Sequence, residues 1–260
     1  PPAPEKVSIS AADRARLANH AGFQRAFALY DLGQRMEARS EFNWSVRGAD
    51  DRLLLAAASQ ANTMAWYDRT IYAAERIRVD YAVYYRFVSP YRDITRTYAQ
   101  NMGLDEAWVY GLMRQESRFA PQATSGVGAS GLMQLMPGTA QWVAKRLGIP
   151  YRASMSNDVG PNVQLGTYYL RHVEDTLGHP VLATAGYNAG PRRAREWQGD
   201  MPLDATQYIE SIPFAETRDY VKKVMASAVS YARLFGQGET VLSVRLGTIP
   251  ARPVTPIEGQ

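Results

Sequence analysis

Apolar residues recur three and four positions apart along most of this chain, the spacing of helices that bury one face. Before about residue 78 the pattern predicts helices over 11–20, 22–32, 34–44 and 50–75, in stretches rich in Ala, Leu, Arg, Glu and Gln. Gly22, Gly33 and Gly48 punctuate them. Ser10 fits an N-cap for the first helix, and Asp50 or Asp51 a cap for the fourth. Short helices in pairs point to a piece of an α-solenoid, stacked hairpins sharing one core. The pattern then changes. Tyr81, Tyr84, Tyr85, Phe87 and Tyr91 crowd around Pro90, which places a domain boundary near 80–88.

Beyond that bridge the helical period returns over 91–102, 105–118, 137–147, 162–177, 181–188, 191–197, 204–209 and 215–235. Pro137, Pro161, Pro191 and Pro213 lie near helix starts, where a missing N–H costs nothing. From Glu239 the composition turns to Val, Ser, Thr and Pro, which predicts a short strand or extended arm ending in disorder. No segment supports a sizeable sheet, so the expected class is all-α. The expected organisation is a helical domain over 1–85, a second domain over 86–238 and a tail over 239–260.

Composition narrows the partners. A chain of 260 residues with 46% hydrophobic and 21% charged residues has the make-up of an ordinary globular protein. No run reaches the roughly 18 apolar residues of a membrane span. The opening PPAPEKVSIS lacks the apolar core of a signal peptide, which reads as a mature form, a trimmed chain or a cytosolic protein. Zero cysteines excludes disulfide and thiolate chemistry. Lys and Arg outnumber Asp and Glu by 29 to 25, a mild excess suited to an anionic polymer. The basic residues are scattered, so nucleic acid is not the expected partner. His20, His172 and His179 lack metal-site spacing and no calcium loop occurs, so neither metal nor other cofactor is expected.

One residue carries candidate chemistry. Glu116 ends the apolar run 107–119 and precedes the glycine-rich segment Ser125-Gly126-Val127-Gly128-Ala129-Ser130-Gly131. Trp108, Leu112 and Met113 can desolvate it, and a helix C-terminus sets partial negative charge beside it. Both effects raise its pKa above the roughly 4.3 of a free glutamate, as a general acid near neutral pH requires. The helix alone favours the ordinary fate of Glu, an exposed polar face. The downstream residues bear on that, although a glycine loop alone is weak evidence, since most such loops are only turns. Glycines let backbone approach a ligand, Ser125 and Gln134 suit sugar hydroxyl and acetamido groups, and Met133 and Met136 offer adaptable apolar surface. No Gly-Lys-Ser/Thr follows, so the loop is not a phosphate cradle. Further on, Gly186-Tyr187-Asn188 exposes a Tyr and an Asn at a helix end, and Glu216 sits in the first turn of the last long helix, where the dipole favours a carboxylate.

Taken in order, Glu116-Ser117, GASGLMQLMPGTA at 128–140, GYNAGP at 186–191 and IPFAETRDYV at 212–221 resemble the soluble lytic transglycosylases, whose catalytic domain is similar to goose-type lysozyme. The likeness covers about 87–236, and the upstream helices resemble the same enzymes' linker domain. The larger ring of helices those enzymes carry further upstream is not in this sequence, which reads as a fragment or a truncated relative. One departure is Gly186, where the family commonly has Ala.

The resemblance implies a periplasmic enzyme that cleaves the β-1,4 bond between N-acetylmuramic acid and N-acetylglucosamine. One glutamate would act first as acid and then as base, leaving 1,6-anhydro ends. It implies Glu116 as the catalytic residue, with Ser125, Gln134 and Asn188 as hydrogen-bond partners of the glycan. Met136 and Tyr187 would line the sugar sites, Tyr220 would stabilise the acetamido group or intermediate, and Glu216 would orient a substituent. The expected partner is the peptidoglycan strand, and cell-wall synthesis or remodelling proteins are candidates for protein partners. Two alternatives stand beside it: a muramidase whose water is activated by Asp158, Asp219 or Glu216, and a non-catalytic glycan-binding scaffold.

Overall fold

The computed structural model describes residues 7–78 and 82–253. It is an all-α protein, and its Cα packing divides the chain between Pro90 and Tyr91. Each side forms its own compact unit. Tyr81 of the aromatic bridge and the end of the tail lie outside the described residues.

The N-terminal unit is built from α1 (Ala11–Ala18), α2 (Ala21–Asp31), α3 (Arg35–Ser45), α4 (Asp51–Thr63), α5 (Tyr67–Ala74) and α6 (Val83–Arg86). Ser10 caps α1 in a reciprocal box with Asp13, and the Asp50 carboxylate caps α4 by accepting from Leu53 N. Helices α2 and α3 pair as one hairpin, α4 and α5 as another. Their shared core is aromatic: Phe42 meets Phe23 and Trp66 edge-on, each at 5.3 Å between ring centroids.

The single helix expected over 50–75 is two. Ala65 takes a left-handed φ of 54°, which turns the chain back so that α5 packs along α4. An alanine there costs about 1 kcal/mol. Burial of Trp66 just after it offsets that cost. No Gly or Pro marks the break, which is why periodicity ran through it. The bridge before Pro90 holds the one-turn α6, with Tyr85 buried.

The second unit comprises α7 (Arg92–Asn101), α8 (Glu106–Ser117), α9 (Pro137–Arg146), α10 (Val159–Leu177), α11 (Pro180–Ala189), α12 (Pro191–Glu196), α13 (Ala205–Ser211), α14 (Ala215–Phe235) and α15 (Leu242–Leu246). Helix α8 is its axis: every residue from Glu106 to Met113 is buried. Glycine at 111 lets α14 cross closely, because a Cβ there would stand 2.6 Å from Val224 O. At the far end Glu106 is buried but satisfied by Arg92, Arg96 and Gln237.

The tail holds the expected short strand and, before it, a helix that its composition did not predict. It forms α15 and then β2 (Thr248–Ile249), antiparallel to β1 (Leu203–Asp204). Arg245 joins it to Asp105, the N-cap of α8, at 2.6 Å, and Arg252 joins it to Asp200 at 2.8 Å. Buried Leu246 and Ile249 supply apolar anchors in a stretch whose Val-Ser-Thr-Pro composition hid them.

Candidate active site

Glu116 lies in the last turn of α8, half-buried. The helix stops abruptly, since Arg118 and Phe119 both take positive φ (50° and 63°). Two consecutive left-handed non-glycine residues cost on the order of 1–3 kcal/mol each and persist only where surroundings hold them. The holding groups are visible. Ser117 Oγ donates to Leu132 O at 2.8 Å and accepts from Phe119 N at 3.1 Å, and the Phe119 ring is fully buried beside Tyr110 and Tyr231. The serine after the glutamate thus pins the helix end to the glycine loop.

Burial raises the Glu116 pKa, the Tyr220 hydroxyl donating to Oε1 at 2.5 Å pulls the other way, and the net value is about 7. Tyr220 itself is 5% exposed on α14. Its pKa is held well above the usual tyrosine value by burial first and the Glu116 charge second, so it stays a donor. Tyr187, near the end of α11, donates to Met133 O at 2.8 Å and packs on Tyr169 with centroids 5.3 Å apart. Its pKa is raised by burial and then by the charge of Glu116, which puts the two in electrostatic reach. Glu116, Tyr187 and Tyr220 therefore form one cluster.

The other expected residues divide. Asn188 is exposed and its Oδ1 accepts from Thr217 Oγ1 at 2.7 Å, which ties the end of α11 to the start of α14. Gln134, at φ 45°, spends its amide nitrogen on Ala123 O (2.9 Å) and Gly131 O (2.8 Å). Ser125 Oγ accepts from Ala129 N at 3.0 Å. These three bonds close the loop on itself rather than reach the glutamate. Met136 is 43% exposed at the N-cap of α9. Glu216 is exposed, one turn before Tyr220 on the same stripe of α14 and about 6 Å along its axis.

Sequence reasoning missed the lock of the loop. Asn162 on α10, fully buried, accepts from Met133 N at 2.8 Å and donates to Ser156 O (2.8 Å) and Ser130 O (3.2 Å). Gly131 presses against it, since a Cβ there would fall 1.9 Å from Ser156 O. A lone Asn in a helical first turn reads as surface, and nothing in its neighbours marks it otherwise. Gly186 likewise proves a packing feature. A Cβ would meet Leu177 Cδ1 at 2.7 Å, and α11 runs on to Ala189 without loosening. Among the described residues no group of three or more His, Cys, Asp or Glu could hold a metal, and no helix is long and apolar enough to cross a membrane. His20 and His179 instead cap α2 and α11.

Comparison with known proteins agrees with this arrangement. The model of the transglycosylase SLT domain matches 93–208, that of the soluble lytic murein transglycosylase L domain matches 16–79, and that of the soluble lytic transglycosylase helical domain matches 211–240. The soluble lytic murein transglycosylase of Salmonella typhimurium is 36% identical over 211 residues, 79% of this chain and 33% of that protein. An inactive Glu-to-Gln mutant of the lytic transglycosylase Slt from Pseudomonas aeruginosa superposes with a TM-score of 0.84 at 36% identity, over 91% of this chain and 39% of that one. The 70 kDa soluble lytic transglycosylase of Escherichia coli gives 0.77 at 32%, over 92% and 39%. The chain thus spans about a third of the length of the curated relatives it matches first. It shares their lysozyme-like all-α fold, and it belongs to the soluble lytic transglycosylase family.

Proposed function

We propose that this chain is a peptidoglycan lytic transglycosylase working in the periplasm, with Glu116 as its only catalytic carboxylate. The observation that carries the reading is the balance on Glu116. Burial favours its protonated form, the Tyr220 hydroxyl favours its carboxylate, and the two meet at a pKa of about 7. A group that must donate a proton and then take one back works best when both forms are accessible at the working pH.

In the first step protonated Glu116 gives its proton to the glycosidic oxygen between N-acetylmuramic acid and N-acetylglucosamine. The C1–O bond breaks, and the substrate's own acetamido oxygen stabilises the cationic C1. In the second step the Glu116 carboxylate, held by Tyr220, takes the proton of the muramoyl C6 hydroxyl. That oxygen attacks C1 and closes the 1,6-anhydro ring. The proton count returns to its start and no water is consumed. Tyr187 and Met136 would line the sugar sites and the Asn188 amide would bind the glycan. Glu216 would meet a substituent one turn along α14. Ser125 and Gln134 would shape the loop that carries these contacts. In this reading 1–85 serves as a linker domain and 86–238 as the catalytic domain.

Mass spectrometry of digested sacculi tests the proposal. Anhydro-muramic ends should appear with the parent chain and vanish with Glu116→Gln. Reducing ends in their place would mean a hydrolase and sink the single-glutamate scheme.

A further inference from the structure

The N-terminal unit carries an open groove of about 650 Å³ lined by Arg47, Arg76 and Arg78. All three arginines are exposed. Among the described residues none of them forms an ion pair, whereas Arg16, Arg25, Arg52 and Arg69 of the same unit each have a carboxylate partner. Two of the three are pre-set by aromatic rings. The Arg47 guanidinium lies 4.9 Å from the ring centroid of Trp44, and that of Arg76 lies 3.4 Å from Tyr72, whose carbonyl it also bonds at 2.9 Å. A guanidinium stacked on a ring keeps its in-plane N–H groups turned outward, ready for a planar carboxylate, and has less rotamer freedom left to lose.

Two carboxylates line the same groove, but both are engaged. Asp50 caps α4 and pairs with Arg16 at 2.6 Å, and Asp51 accepts from Arg78 N at 3.3 Å. Three arginines against two carboxylates leave the lining with a net positive charge, and Asp50 has its own cation in Arg16. Trp44, the ring beside the Arg47 guanidinium, is 67% exposed. Unpaired cations beside an exposed indole suit a ligand that is both anionic and built of rings with flat C–H faces.

We propose that this groove is a second binding site, distinct from the Glu116 cluster, for a carboxylate-bearing glycan. Arg47, Arg76 and Arg78 pair its acidic substituents and Trp44 stacks on a sugar ring. With the catalytic reading above, on which this assignment of the polymer rests, the ligand is the peptidoglycan strand itself. The site holds the chain on the insoluble polymer between cleavage events.

Binding is tested in the Glu116→Gln chain by co-sedimentation with isolated sacculi, so it is scored without turnover and its failure is separable from a failure of catalysis. Replacing Arg47, Arg76 and Arg78 together by Gln should weaken binding roughly tenfold and flatten its dependence on salt. Replacement by Lys should restore part of it, and Trp44→Ala should weaken it several-fold. Sacculi whose carboxyls have been converted to amides should bind the Glu116→Gln chain as weakly as untreated sacculi bind the triple Gln variant. With Glu116 intact, that triple variant should cleave short soluble glycan oligomers at the parent rate. Parent-like binding by the triple variant would overturn the proposal, as would indifference to amidation or a matching loss of soluble-oligomer cleavage.

Discussion

Glu116 and Tyr220 act on each other in opposite senses, and that has a readable consequence. The free enzyme enters the reaction with Glu116 protonated, so kcat/KM should fall above a midpoint near pH 7. The Tyr220 hydroxyl lowers that midpoint. Tyr220→Phe removes the lowering influence, so the alkaline limb should move to higher pH while the rate at the optimum drops. A limb that stays in place would mean the hydroxyl does not set the proton affinity. The same carboxyl also marks stability. Its pKa is raised in the fold from 4.5, so the folded chain keeps a proton that the unfolded chain releases. That contribution is complete below about pH 4.5 and is lost as pH rises through about 7, by up to about 3 kcal/mol. Glu116→Gln has no such loss. Its melting temperature should gain on the parent between pH 5 and pH 8, and a gap independent of pH would argue that Glu116 titrates as a free acid.

At the scale of elements, two glycines look alike in sequence and differ in what they meet. At Gly111 a methyl group would face backbone, Val224 O at 2.6 Å and Ala228 N at 3.1 Å, so α8 and α14 would have to separate. Gly111→Ala should cost about 1–3 kcal/mol even after helix propensity returns about 0.5–1, with activity falling as the α8–α14 packing shifts. At Gly186 the closest atom is the end of a flexible side chain, Leu177 Cδ1 at 2.7 Å, which can yield, while Val173 Cγ1 at 3.0 Å and Pro191 Cα at 3.3 Å need give only a few tenths of an ångström. Gly186→Ala should stay within about 1 kcal/mol of the parent. Chemical denaturation of the pair checks both, and equal losses would show that the contact atoms do not decide the outcome. The contrast also shows what the sequence could tell. Long periodic helices such as α14 were legible to their ends, because an apolar stripe and a flanking glycine are local signals. Ala65, Asn162 and the anchors of the tail were not. Each is set by a partner distant in sequence, Asn162 for instance by the Ser130–Met133 backbone about 30 residues away. Glu116 was legible as a raised-pKa acid, but its hydrogen bond to Tyr220, 104 positions on, needed the fold.

For the whole molecule, the division at Pro90 separates two kinds of work. Every group in the Glu116 cluster, with Ser117, Asn162 and Thr217 behind it, comes from residues beyond Tyr91, and so do the Arg245 and Arg252 ties of the tail. That unit has its own buried axis in α8 and closes its polar ends internally, Glu106 on Arg92, Arg96 and Gln237. Residues 91–253 expressed alone should therefore fold cooperatively, as a domain of this size with its own core can. They should release anhydro ends from short soluble glycan oligomers at a rate within a few-fold of the full chain. The arginine groove lies entirely before residue 79, so the same fragment should sediment with sacculi more weakly than the parent. The two readouts are independent. A fragment that folds but cannot cleave oligomers would place a needed group in the first 90 residues, and one that cleaves and still binds sacculi fully would remove the groove from the account.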